Sequence, residues 1–200
     1  MTTATAAASP ANLLAGLAGA AGAFSLCWVA DSGSLVAPAD ATTGLDSSWV
    51  DIGLVTTDGG TVGTNINSTD IDAFGSFQPV RTLIQNEIIT VAFTAQETNK
   101  VVAAIKTRQA LSAVTVGTGH TLNTTRGPGR DAHYGLVLDA LDGTNHIRKF
   151  YPSCRLTTLG DQQIGFGAAI VYPFTFTAYP DNSGNTEYEY IVNTNLTVDA

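Results

Sequence analysis

The stretch Glu87 to Leu111, EIITVAFTAQETNKVVAAIKTRQAL, constrains the fold more than any other, because its hydrophobic period changes midway. In the first half Ile89, Val91 and Phe93 fall on one face and Thr90, Ala92 and Thr94 on the other, the alternation of a half-buried strand. In the second half Val101, Val102 and Ile105 recur at helical spacing, with Lys100, Lys106 and Arg108 between them. Thr98 or Asn99 can cap this helix by accepting from the free amides of its first turn, and the later cations suit the helix dipole. The pattern predicts a helix over about residues 99–110. No other stretch has helical periodicity of this quality. One short helix among strands and turns predicts a mainly β chain: an antiparallel β-sandwich or flattened barrel with that helix on its flank.

The rest of the chain supplies about ten strands. Phe24 to Val29 reads as a strand, and Asp31 to Ser48 as a loop. Trp49 to Thr56 is expected to turn at Asp58-Gly59-Gly60 and pair back with Thr61 to Asn67. Asp70 to Gly75 and Val80 to Ile84 are short strands broken by Pro79, and Ala113 to Gly117 and Thr121 to Thr125 are short and Thr-rich. Arg126 to Arg130 (RGPGR) is a turn carrying two cations. The clearest hairpin joins Tyr134–Leu141 to His146–Tyr151 through Asp142-Gly143, which predicts a type I′ turn. Leu156–Thr158 and Gln162–Phe166 form a further expected pair around Gly160-Asp161. Tyr172–Tyr179 alternates well, with Pro173 pointing to an edge or a bulge, and Tyr188–Val192 is the last strand.

Only 13% of the residues are charged, and the net charge of −8 is unevenly spread. Residues 1–80 hold seven Asp and no base; residues 81–155 hold all nine bases and five acids; residues 156–200 hold five acids and no base. The acidic balance excludes a high-affinity nucleic-acid binder, which needs a basic footprint to release counterions. Low charge with 44% apolar residues argues for a folded chain whose surface is largely covered, in the simplest case by copies of itself. Residues 1–23 read as an Ala/Gly-rich arm able to approach a neighbour closely, and residues 24–200 as one domain ending in a C-terminal arm. Residues 11–30 reach the length of a membrane span, but Ala and Gly give weak transfer energy and no Lys or Arg flanks them, so no span is expected. A secretory leader is equally unsupported, since the basic n-region is missing. Cys27 and Cys154 read as two buried free thiols rather than a pair.

No catalytic pattern emerges, and no cofactor or metal is expected. His120, His133 and His146 match no ligand spacing. Gly165-Phe-Gly167 lacks the third glycine and the helix of a dinucleotide site, no Walker lysine follows a glycine run, and there is no G-x-S-x-G. Asp139 and Asp142 beside a turn need no catalytic explanation. Trp28 and Trp49 suit core or interface anchors better than a ligand cage. An enzyme is not expected.

At Asp40-Ala-Thr-Thr-Gly-Leu-Asp-Ser-Ser-Trp49-Val-Asp-Ile-Gly53, followed by Asp58-Gly59, the sequence resembles the major tail tube subunit of long-tailed phages that infect actinobacteria. The resemblance continues through Ser68-Thr-Asp-Ile-Asp-Ala-Phe-Gly75, Val80-Arg-Thr-Leu83, Phe93-Thr-Ala-Gln-Glu-Thr-Asn99, Asn145-His-Ile-Arg148 and Thr177-Ala-Tyr-Pro-Asp181. It spans roughly residues 24–192. It implies a β-sandwich with one flanking helix, closing into six-membered rings that stack into a hollow tube conducting double-stranded DNA. Its implied partners are further copies of itself and the tape measure, tip and terminator proteins of the tail, in the virion. On this resemblance Trp28, Trp49, Arg126, Arg130 and Arg148 are candidates for contacts between subunits, and Glu87 and Asp139 for an acidic lumen wall. The strand of the opening stretch is expected in the inner sheet and the helix on the outer wall. Two other readings share the composition: the inner tube of a contractile injection device, and a surface-anchored β-sandwich binding module.

Overall fold

The computed structural model describes residues 17–18, 24–28, 35–128, 132–162 and 164–196. In chain order the strands are β1 (Leu17–Ala18), β2 (Phe24–Trp28), β3 (Val50–Asp51), β4 (Val55–Ile71) and β5 (Arg81–Ala95). After the helix α1 (Lys100–Thr107) come β6 (Val116–Gly117), β7 (Thr121–Leu122), β8 (His133–Asp142), β9 (Asn145–Leu159), β10 (Tyr172–Tyr179) and β11 (Tyr188–Val192). The main sheet runs β3-β2-β8-β9-β10-β5-β4, with β1 added beside β8 and β11 beside β9, and β6 pairs with β7 in a separate two-stranded sheet. Every pairing is antiparallel. The expected mainly β class with one α-helix is what the described residues form.

The sheet folds back over itself because β9 bends. Its first half pairs with β8 and β11, and its second half with β10. Two register shifts fall on it: Pro152 and Ser153 stand opposite the single Gly135, and Thr157 is extra opposite β10. Bulges increase local twist and let one strand serve two layers, and the first also accommodates a proline inside a sheet. The result brings β2 over β5, where the rings of Phe24 and Phe93 stack at 4.2 Å. β4 passes so near β2 that a Cβ on Gly60 would lie 2.2 Å from the Phe24 ring, so only glycine fits there.

Between the layers Phe93, Phe174, Phe176 and Tyr134 meet with centroids 5.6–5.9 Å apart. The alternation expected in β5 is present: Val91, Phe93 and Ala95 are buried in this cluster and Ile89 packs against it. Helix α1 closes the same core with Val101, Val102, Ala104 and Ile105. Its N-cap is Asn99, whose Oδ1 accepts from the Val102 amide at 2.9 Å while Nδ2 donates to the Ile52 carbonyl at 2.8 Å. Arg108 ends the helix in the left-handed region.

Several local expectations change: Trp49–Thr56 divides between β3 and β4, and of Asp70–Gly75 only the first two residues are strand. Asp58-Gly59-Gly60 is not a hairpin turn but a bulge inside β4, which runs unbroken for 17 residues and pairs with β5. Glycine supplies positive φ equally to a turn and to a bulge, and Gly59 has φ +66. The β8–β9 loop is Gly143-Thr144, one residue later than read, with Gly143 at φ +62 and Thr144 at negative φ. That is the type II′ pattern rather than type I′. None of the described residues of the expected strand Gln162–Phe166 is in a strand, Gln163 lying outside them; β9 extends to Leu159 and takes β10 as its partner. Pro173 therefore sits in an interior strand. Its carbonyl accepts from Gly160 just past the end of the β9 ladder, so its missing donor faces a side where pairing has already stopped.

β2 and β9 are separated by β8, two strand spacings or about 9.5 Å, beyond the roughly 7 Å reach of a disulfide. Cys154 is buried and free, and burial pushes its thiol up to about 12.

Candidate assembly surfaces

Beyond the core, β4 and β5 continue as a long hairpin that nothing among the described residues covers. Every residue from Thr64 to Ile71 and from Arg81 to Glu87 is exposed. The ladder is held by its own backbone, by Asn67 donating to Asn86 Oδ1 at 2.6 Å, and by Thr82 donating to Asp70 Oδ1 at 2.6 Å. At the tip Ser76 N donates to the Ala73 carbonyl and Val80 N to that of Ile71. This arm carries large apolar side chains in solvent: Ile66, Ile71, Val80, Leu83 and Ile84 on the strands, and Phe74 and Phe77 fully exposed at the tip. An exposed apolar surface of that extent marks an interaction site. The apolar residues of this segment were read as short strands, but their exposure was not foreseen; the charge-poor run from Ile71 to Val80 is its one sequence signal.

Sheet edges are the second surface. Among the described residues β4 ends the sheet on one side, and β11 pairs only with β9. Among β11 residues Ile191 and Val192 are exposed. Lys149 braces that strand by donating to Glu187 at 2.6 Å and approaching Glu189 at 3.0 Å. Partial burial pulls the Lys149 pKa down, and the hydrogen bonds and charges of the two glutamates outweigh it and raise it.

The outward face of β8 and β9 is sealed within the chain. Val137 and Phe150 alternate with the core residues Leu136 and Tyr151 and form a second apolar cluster with Trp49. The Trp49 indole donates to the Val36 carbonyl at 2.9 Å and meets Phe150 edge-on, while Tyr188 stacks on Phe150 from the other side. Arg148, 5% exposed, donates through Nε and Nη2 to the two oxygens of Asp139 at 2.6 and 3.0 Å. Its Nη1 donates to the carbonyls of Asp40 and Thr43, pinning the loop before β3 to the sheet. In that loop the Asp40 carboxylate accepts from the Thr43 hydroxyl and from the Thr43 and Thr42 amides, which hold it well below the usual carboxylate range.

The candidate residues therefore separate. Arg148 and Asp139, expected at a subunit contact and on a lumen wall, pair with each other within the chain, Arg148 buried and Asp139 partly so. Counting outward from the Gly143-Thr144 loop places Asp139 opposite Arg148, so the hairpin contained this pairing. Trp49 anchors the second apolar cluster. Glu87 is exposed on the arm. Arg126 is exposed after β7 and lines a cleft with Lys106. Trp28 lies in β2, paired with Tyr134, and its side chain falls outside the described residues. Arg130 and most of the N-terminal arm also lie outside them, although Leu17 and Ala18 pair with Leu141 and Ala140 of β8. No group of His, Cys, Asp and Glu among the described residues could hold a metal ion, and no helix there is long and apolar enough to cross a membrane.

Two solved structures resemble the chain at low identity. One, from the virion of a native gene transfer agent particle, is 9% identical with a TM-score of 0.40, covering 74% of this chain and 92% of the other. The other, from the anti-feeding prophage cap that terminates a tube, is 10% identical with a TM-score of 0.39, covering 96% and 100%. At TM-scores of this size neither likeness bears on the assignment. No curated protein matches the sequence. The family profile described as phage tail tube protein matches residues 20–200, nearly the whole chain. The chain belongs to the phage tail tube protein family, and is thus a non-enzymatic structural protein of the virion tail.

Proposed function

We propose that six copies close into a ring and that rings stack head to tail into the tail tube of a long-tailed phage of actinobacteria, through which double-stranded DNA passes during ejection. The observation that carries this reading is the uncovered β4–β5 arm. A chain whose core is otherwise closed keeps a long apolar hairpin in solvent, which is consistent with burial against other copies. Unpaired edges on β4 and β11 are suited to inter-subunit pairing, which would remove the aggregation hazard of open strands. A ring contact that closes and a stacking contact that does not together give a filament of fixed diameter. Residues 1–23 and the C-terminal segment serve as arms to neighbouring subunits, and tape measure, tip and terminator proteins bound the tube's length. Arg126 and Arg130 face acidic segments of adjacent rings, and Trp28 belongs to the ring contact. Glu87 contributes to a lumen wall that repels DNA at short range, within a Debye length of about 8 Å, so the polymer slides without sticking.

Negative-stain microscopy of the purified full-length protein tests the reading. Stacked rings or tubes are expected, with only monomers after residues 72–80 are replaced by a short Gly/Ser turn. Tubes that persist without the tip would remove the arm's role.

A further inference from the structure

The exposed tip has two aromatic rings and the Asp72 carboxylate, with Asp70 just before it at the end of β4 and Arg81 opposite Ile71. At the other end of the same hairpin lies a cleft of about 290 Å³ walled by Leu159, Tyr172 and Phe174. Its rim carries Lys106, Arg126 and one acid, Asp161. Lys106 is held in place, donating to Gln162 Oε1 at 2.6 Å and standing 5.3 Å over the Tyr172 ring. Among the described residues neither Lys106 nor Arg126 pairs with a carboxylate. The volume exceeds the roughly 150 Å³ that admits a benzene ring.

Placement makes the match one between molecules. Tyr172 is paired with Ala95 at the inner end of β5, whereas the tip lies beyond Arg81 at its outer end. Fourteen residue steps separate them, about 45 Å of extended chain, so no copy can fill its own cleft. Complementary surfaces at opposite ends make a head-to-tail contact that repeats without closing. We propose that the tip of one copy seats in this cleft of the next, with the Phe74 ring against Tyr172 and Phe174 and Asp72 facing Lys106 and Arg126. The proposal rests on the stacking reading above and names its receptor.

The test uses the full-length chain with Ala73→Cys and Asp161→Cys combined, oxidised after assembly and run on a non-reducing gel. A ladder of covalent oligomers is expected from the pair and from neither single variant. Lys106→Glu with Arg126→Glu should raise the subunit concentration needed for tubes about tenfold or more, and Asp70→Lys with Asp72→Lys in the same chain should restore it. Tubes without a ladder, or a charge swap without rescue, would overturn the seating while leaving the tube reading intact. An unmodified protein that forms neither rings nor tubes would overturn both.

Discussion

From Ile89 to Ala95, β5 lies under Phe24, Phe174 and Phe176, and its apolar side chains are buried or packed against the core. From Arg81 to Glu87 the same strand, with Leu83 and Ile84 in it and β4 still beside it, has every residue exposed. β4 and β5 stay paired through both halves, with register shifts in each, so secondary structure alone does not separate them. The inner half takes apolar surface out of water when the chain folds, which contributes about 25 cal/mol per Å² to stability. The outer half contributes nothing of that kind to the isolated chain, and its apolar surface remains available for association.

Substitutions on either side of this divide should behave differently. Ile105→Asp, at a position with no exposure, would bury an unpaired charge in the core that the inner half of β5 shares. The expected result is loss of the folded state, since the cost approaches the roughly 5–15 kcal/mol of a whole domain; circular dichroism showing a cooperative melt would break the contrast. Arg148→Ala would strand the Asp139 carboxylate and free the loop carbonyls, costing about 3 kcal/mol. An urea titration reads this, and the double variant Arg148→Ala, Asp139→Ala should lose less than the sum of the single ones. Asn99→Ala removes the cap and should lower stability by about 1 kcal/mol, a drop in Tm of roughly 2–4 °C. The smallest change in stability is expected from Phe74→Ser with Phe77→Ser, within about 0.5 kcal/mol of the parent. That variant should nevertheless fail to form tubes in micrographs. A marked fall in Tm would mean that the tip packs on its own chain, and would erase the distinction between the two halves.

The helix and its cap were legible because periodicity and capping act over a few residues, as was the span of β10, which alternates cleanly. The Asp58-Gly59-Gly60 segment was misread because a turn and a bulge demand the same backbone freedom, and only the distant partner β5 decides between them. The continuous β9 was divided into His146–Tyr151 and Leu156–Thr158 for a related reason: Pro152 looks like a break until the distant Gly135 shows it to lie in a bulge. Alternation in the arm indicated strands, but an apolar residue in a sequence does not say whether its cover comes from its own chain or from another. Arg148 and Asp139, read as a subunit contact and a lumen-wall residue, pair with each other within the chain. Their shared register follows from the loop between them, and a cation and an anion directly opposite on one hairpin bind each other first.

The arm's register shifts give it a fixed length. One separates the Val55–Ala95 pair from Gly60–Phe93, and a second inserts Gln85 between the partners of Asn67 and Ser68. Because side chains alternate with period two, a one-residue slip would turn every residue to the opposite face, and these irregularities oppose such a slip. A hairpin locked in this way is a ruler. In an assembly joined through its tip, the axial repeat would be set by counted residues rather than by the softness of a contact, in steps of about 7 Å for each two residues added to both strands.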